Sequence, residues 1–233
     1  MRPSGPNVAK LEQVAAALGP LCERLIFVGG CAVDLLLSDP AASAPRLTFD
    51  VGLVASVQAL RDYHAMEKEL ARRGFRRDLS PDAPICRWRL NDTEVDLMPT
   101  DASILGFANR WYPLAAETAQ AVALPLGQAV RLIRAPEFIA TKLEAFRDRG
   151  RSDYLASHDL EDIINVIDGR AELPAESAAA APALRQYLGE QFRALRDNTE
   201  FRNAVPGLIM PGESIGSRLP VLMRRIEAIA ALV

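Results

Sequence analysis

The stretch Phe27-Val28-Gly29-Gly30-Cys31-Ala32-Val33-Asp34, followed after a proline-bearing loop by Arg46-Leu47-Thr48-Phe49-Asp50-Val51-Gly52-Leu53-Val54, governs how the rest of the chain is read. Leu25 to Val28 is a short apolar run of strand type, and the paired glycines pass it to an expected helix from Ala32 to Leu37. Such an order aims the unpaired N–H groups of a helix start, and their partial positive charge, at an anion above the turn. Gly29 and Gly30, having no side chains, let a phosphate come close to the backbone. The second part is a strand whose first carboxylate, Asp50, sits among apolar and β-branched neighbours, where an ionised group needs a cation.

Thr93-Glu94-Val95-Asp96-Leu97-Met98-Pro99 alternates with period two, which puts Glu94 and Asp96 on one face of a strand. A phosphate cradle with carboxylates on neighbouring strands is what metal-assisted phosphoryl or nucleotidyl transfer requires. Magnesium bridges one or two carboxylates to substrate phosphates.

Gly29-Gly30, Arg46-x-Thr48-x-Asp50 and the strand carrying Asp96 resemble the polymerase-β-type nucleotidyltransferase superfamily, and within it the AbiEii/AbiGii and MenT toxin group. Ala140-Thr141-Lys142-Leu143-Glu144-Ala145 and His158-Asp159-Leu160-Glu161-Asp162 resemble that group's downstream lysine and aspartate motifs. The resemblance implies an α+β fold: a mixed-sheet nucleotidyltransferase core over residues 1–134, flanked by helices. A helical C-terminal region over 135–233 would bring Lys142 and Asp159 to the site. It further implies a nucleoside triphosphate bound by Gly29, Gly30, Cys31, Arg46, Thr48, Lys142 and Asp159, with Mg²⁺ or Mn²⁺ on Asp50 and Asp96. Asp50, Asp96 and Lys142 would be catalytic, with Asp96 taking the acceptor's proton or holding its oxygen on metal. The acceptor would be RNA, the tRNA 3′ end, and a cognate antitoxin protein would be the partner.

The sequence departs from that pattern at one place. Where the resemblance leads to Asp-x-Asp, this chain has Asp50-Val51-Gly52, so the second metal carboxylate is missing. Three accounts stand side by side: Glu94 supplies the missing oxygen, the protein is a weakened or inactive relative that still binds nucleotide, or Gly52 is a disabling substitution. Transfer to a small molecule, as in antibiotic-modifying nucleotidyltransferases, and a catalytically inactive nucleotide-binding regulator are the rival functions.

Composition bounds these readings. The chain has 233 residues, 49% of them hydrophobic, and a formal net charge of −3, values of an ordinary globular protein. No apolar run reaches membrane-spanning length and the N-terminus lacks a secretory plan, so a cytoplasmic location is expected. Three scattered cysteines (Cys22, Cys31, Cys86) and two histidines (His64, His158) offer neither a disulfide framework nor a zinc site. The acidic balance argues against a protein that coats nucleic acid non-specifically. Two arginine clusters, Arg72/Arg73/Arg76/Arg77 and Arg147/Arg149/Arg151, read first as solvated helix ends.

Along the chain, helices are expected at Asn7 to Leu18, at Val57 to Arg73 with Ser56 as cap and Gly74 as stop, and at Pro136 to Arg149 closed by Gly150. A further helix runs from His158 to Ile167 with Ser157 as cap. Ile85 to Leu90 and Thr93 onward form a hairpin through Asn91-Asp92, placing Arg87 or Arg89 near the carboxylate face to pair with Glu94 or a substrate. Gln128 to Ile133 reads as another strand. Trp88 is expected in the core. Arg110-Trp111-Tyr112 either lines a pocket or packs around Pro113. Lys142 lies beside its helix's apolar stripe and either reaches a phosphate or extends to water. Cys31 either faces the phosphate site or is a small buried residue. Leu184 to Arg196 and Ser217 to Leu232 read as helices, separated by a loop from Pro206-Gly207 to Pro211-Gly212.

Overall fold

The apolar run Leu25–Val28 (β1) is buried along its whole length, because it lies inside a mixed sheet of seven strands among the described residues. The computed structural model describes residues 5–149, 153–209 and 215–233. The other strands are Asp50–Ala55 (β2), Arg76–Arg77 (β3), Arg87–Leu90 (β4), Thr93–Pro99 (β5), Gln120–Ala123 (β6) and Ala129–Leu132 (β7). Their order is β3-β4-β5-β2-β1-β7-β6, with β2/β5 and β1/β7 parallel and the remaining pairs antiparallel. This is the expected α+β architecture.

The chain divides into two compact units. One comprises the described residues of Arg2–Leu35 and Arg46–Arg134; the other comprises Leu36–Pro45 and Ala135–Val233.

In the sheet unit, the helix Pro6–Leu18 opens on a proline at its first turn and buries Val8, Leu11, Val14, Ala15 and Leu18, a stripe at helical spacing. Leu60–Arg72 buries Tyr63, Met66 and Leu70, and the Tyr63 hydroxyl donates to the Leu97 carbonyl at 2.8 Å. Burying those three side chains stabilises the packing by roughly 5–8 kcal/mol. This helix starts three residues later than expected, after Ala59, and Ser56 does not cap it. Gly74 does take up left-handed backbone, φ 90°, just past its end.

One expectation is corrected here, and three elements are added. Gly30–Ala32 is a 3-10 turn leading into a four-residue helix, Val33–Leu36, instead of a helix from Ala32 to Leu37. A single turn carries too few aligned peptides to build much dipole. β6 was not foreseen, nor were the short helices Ala102–Leu105 and Tyr112–Thr118.

The second unit is helical: Ala135–Arg149, His158–Gly169, Leu173–Ala178, Pro182–Asp197, Thr199–Leu208 and Ile215–Ala230. Ser157 caps the second of these, accepting from the Leu160 amide at 3.3 Å. The Gly169 carbonyl accepts from the amides of Ser38 and Asp39, both at 2.9 Å, which ties Leu36–Pro45 to this unit. Arg218 grips Asp168 and Asp39 together. Pro206 and Gly207, expected in a loop, lie inside Thr199–Leu208, a helix capped by the Asn198 side chain on the Phe201 amide. Gly150, Arg151, Pro211 and Gly212 lie outside the described residues. No described helix is long and apolar enough to cross a membrane.

Candidate active site

Parallel pairing of β2 with β5 sets Asp50 beside Glu94 and Gly52 beside Asp96. Residues paired in register point to the same face, so Asp50, Glu94 and Asp96 share one side of the sheet, while Val51, Leu53, Val95 and Leu97 fill the other and are fully buried. From strand spacing and rise, the Cα atoms of Asp50 and Asp96 are about 8 Å apart. Two residues 46 positions apart in sequence are thus brought onto one small surface.

The glycine turn joins this surface through β1, where Val28 pairs with Gly52. Gly29 has φ 79°, and a side chain built on it would come within 3.7 Å of the Gly52 nitrogen. Gly52 is itself close-packed: a Cβ there would sit 3.0 Å from Val28 Cγ2, 3.2 Å from the Val28 carbonyl oxygen and 3.4 Å from Met98 Cε. The position where the resemblance leads to a second carboxylate is therefore fitted to the absence of a side chain.

The antiparallel hairpin of β4 and β5 supplies the cations. Arg87 stands opposite Asp96, and Arg89 opposite Glu94. Arg87 donates from Nε to Asp96 Oδ1 at 2.8 Å, from Nη2 to Asp96 Oδ2 at 2.9 Å and from Nη1 to Glu94 Oε2 at 2.5 Å. These hydrogen bonds to Asp96 hold the guanidinium more firmly protonated than an ordinary arginine. Arg89 donates to Glu94 Oε1 at 3.0 Å and to Asp78 Oδ2 at 2.7 Å. Hydrogen bonds from Ser80, joined by that from Arg89, lower the Asp78 carboxyl to about 2. The sequence reading placed an arginine near Glu94; that Arg87 spends its fork on Asp96 went unseen.

Thr48 and Cys31 pair with each other, Sγ to Oγ1 at 2.7 Å, and both are buried. Cys31 is therefore the small buried residue of its two readings. Burial pushes its thiol up to about 11, against the pull of the Thr48 hydrogen bond. Asn7, read only as a helix start, organises this corner: its amide donates to the Arg46 carbonyl at 2.9 Å and to Asp34 at 3.1 Å, and accepts from the Thr48 amide at 3.0 Å. Lys10 donates to the Thr48 carbonyl. Arg46 and Thr48 thus lead into Asp50 on a strap whose backbone is held by the Asn7 and Lys10 side chains. Tyr112 donates to Met98 Sδ at 3.1 Å, Trp111 is buried beneath the Arg110 guanidinium at 4.7 Å, and Trp88 is in the core.

In the helical unit, Lys142 and Asp159 meet at 3.0 Å, and Asp162 reaches the same ammonium at 2.6 Å. All three are buried. The two carboxylates keep the ammonium protonated above the ordinary lysine range even though burial alone would lower it. His158 is exposed and pairs with Glu161.

The donor set of the sheet face fits a magnesium ion poorly. Gly52 offers no side-chain oxygen, and both oxygens of Asp96 and both of Glu94 already accept from guanidinium groups. Among the described residues no group of three or more His, Cys, Asp or Glu side chains is arranged to hold a metal ion.

No protein-family profile and no curated protein sequence matches the chain. Among solved structures, an antigenic nucleotidyltransferase-like protein from Paracoccidioides brasiliensis superposes with a TM-score of 0.51 at 20% identity, over 97% of this chain and 94% of that one. The antibiotic-resistance factor ANT(2'')-Ia gives 0.45 at 16% identity, over 81% of this chain and 94% of its own. The first of these likenesses, following the sheet order and helices described above, is one of fold: the chain has a nucleotidyltransferase-like fold.

Proposed function

We propose that this protein is a nucleotidyltransferase of the toxin-like kind, moving a nucleotide from a nucleoside triphosphate to a hydroxyl of RNA, the tRNA 3′ end, in the cytoplasm and under a cognate antitoxin. The observation that carries the class is the convergence of Asp50, Glu94 and Asp96 on one sheet face beside the Gly29-Gly30 turn. Phosphates would lie over the turn, where the absent side chains leave room. The acceptor oxygen would bond to the α-phosphorus as the bond from that phosphorus to the bridging oxygen breaks, releasing pyrophosphate. Asp50, in place of the Asp96 expected from the resemblance, would take the acceptor's proton, a reading supported by the engagement of both Asp96 oxygens by Arg87. With Gly52 in the strand and the donor set as it stands, the expected transfer is slow.

A second reading has its own support. On this face Asp50, Asp78, Glu94 and Asp96 stand against Arg76, Arg87 and Arg89, four carboxylates to three guanidinium groups, and an acidic surface favours a small cationic acceptor such as an aminoglycoside.

Incubating the protein with each α-labelled nucleotide, total tRNA and an aminoglycoside, with Mg²⁺ or Mn²⁺ present, tests both. Label in tRNA supports the first reading and label in the aminoglycoside the second. Nucleotide binding without label in either indicates a binding regulator, and no nucleotide binding overturns the proposal.

A further inference from the structure

We infer that Arg87 occupies the place of a divalent cation on this sheet face, closing the Asp50, Glu94 and Asp96 set to metal in the free protein. The three carboxylates carry six oxygens, and four of them, both of Asp96 and both of Glu94, accept hydrogen bonds from Arg87 or Arg89. Only Asp50 is outside this arrangement, and it still adds to the field that Arg87 feels.

A guanidinium and a magnesium ion ask different things of the same oxygens. The guanidinium needs two parallel acceptors in a plane, which Asp96 supplies to its Nε and Nη2 edge. Magnesium needs near-octahedral oxygens at about 2.0–2.1 Å and gives up water reluctantly. Placing a divalent ion on Asp96 without moving Arg87 would put two cations on one carboxylate in a partly desolvated place, since the Arg87 and Asp96 side chains are 20% and 14% exposed.

Arg87 is also not at liberty to swing away cheaply. Its third donor is on Glu94, whose other oxygen is held by Arg89, and Arg89 is anchored in turn by Asp78, which Ser80 holds through its other oxygen. The ladder Asp96–Arg87–Glu94–Arg89–Asp78 alternates in sign along its length. Gly52 completes the picture, since its close packing against Val28 and Met98 would have to give way before an additional carboxylate could compete with the guanidinium for a metal. The hairpin arginine and the strand glycine belong to one arrangement.

Manganese binding, read by the loss of the free-ion electron paramagnetic resonance signal with no nucleotide present, tests this directly. The wild-type chain is expected to hold no Mn²⁺ up to about 1 mM, whereas Arg87→Met should gain one site at least about tenfold tighter. Asp96→Asn added to Arg87→Met should abolish the gained site. Arg87→Gln, which keeps a polar planar group on Glu94, serves if Arg87→Met loses its circular dichroism spectrum. Stoichiometric Mn²⁺ on the wild-type chain, or folded Arg87 variants that bind no better than wild type, would overturn the inference. It concerns the same site as the transfer reading but not its chemistry: failure of the tRNA assay leaves it standing, and Mn²⁺ on the wild-type chain leaves nucleotidyl transfer possible.

Discussion

Arg87 and Asp96 face each other across the β4–β5 hairpin and meet side-on, Nε and Nη2 against the two carboxylate oxygens, through hydrogen bonds of 2.8 and 2.9 Å. That geometry is particular to a planar fork. A lysine keeps the charge but offers a single point donor, so Arg87→Lys should lower stability by roughly 1–2 kcal/mol in urea unfolding. An unchanged midpoint would mean that charge alone, without the fork, holds Asp96.

Gly52→Asp restores the carboxylate that the resemblance leads to, yet the structure argues against a simple rescue. The new Cβ meets Val28 Cγ2 at 3.0 Å and the Val28 carbonyl at 3.2 Å, and its charge enters beside Asp50 and Asp96. Overpacking of this sort costs about 1–3 kcal/mol. Gly52→Ala isolates the steric part, and Val28→Ala in the same chain should return some of it by removing Cγ2, though not the carbonyl. A thermal melt of the four chains checks the order: wild type highest, Gly52→Asp lowest.

Much of this site was legible from the residues. Period two in Thr93–Pro99 put Glu94 and Asp96 on one face, and Asn91-Asp92 marked the hairpin, where Asn91 indeed takes φ 52°. Counting outward from that turn pairs Leu90 with Thr93, then Arg89 with Glu94 and Arg87 with Asp96. The register was therefore available, and the miss lay in stopping at Glu94. Other features left no local trace. β6, Gln120-Ala121-Val122-Ala123, is a mostly exposed edge strand without a buried face to alternate, and only its pairing with β7 makes it a strand. Asn7 lies on the buried stripe of its helix, four residues before Leu11, but spacing does not show what satisfies a polar side chain there; its partners, Arg46 and Thr48, come from a segment 39 to 41 residues away. The depth of Lys142 was equally hidden, because spacing places Asp159 and Asp162 on one helical face but does not say what covers it.

Cys22, Cys31 and Cys86 should be inert in the native protein. Burial raises their thiols to about 11, about 11 and about 12, from an ordinary 9.0. The reactive thiolate is therefore scarce at pH 8, and all three side chains are inaccessible. Ellman's reagent should titrate none of them in buffer and all three in denaturant. The linked effect has a definite sign. Between the unfolded value near 9.0 and the folded values, the native chain holds protons that the unfolded chain has released, so stability falls as pH rises through that window. Serine at all three positions should flatten the alkaline decline in melting temperature.

Lys142 is a buried cation shared by two buried carboxylates. Asp162 is 1% exposed at its side chain and Asp159 is 7%, and both bond to one ammonium. Removing that ammonium leaves two adjacent buried charges, so Lys142→Met should cost roughly 3–5 kcal/mol, while Lys142→Met with Asp159→Asn and Asp162→Asn should recover most of it. The pH dependence separates this from a lysine kept for its proton chemistry. Asp162 and Asp159 hold the folded pKa above the ordinary 10.5, so the stability they confer is complete below that value and is lost only as pH rises through the folded one. The gap between wild type and Lys142→Met should accordingly not narrow from about pH 6 to about pH 9, since the carboxylates left in the variant repel each other more as they ionise. A gap that closed toward pH 9 would mean that the ammonium sheds its proton in that range and that the pair does not hold it.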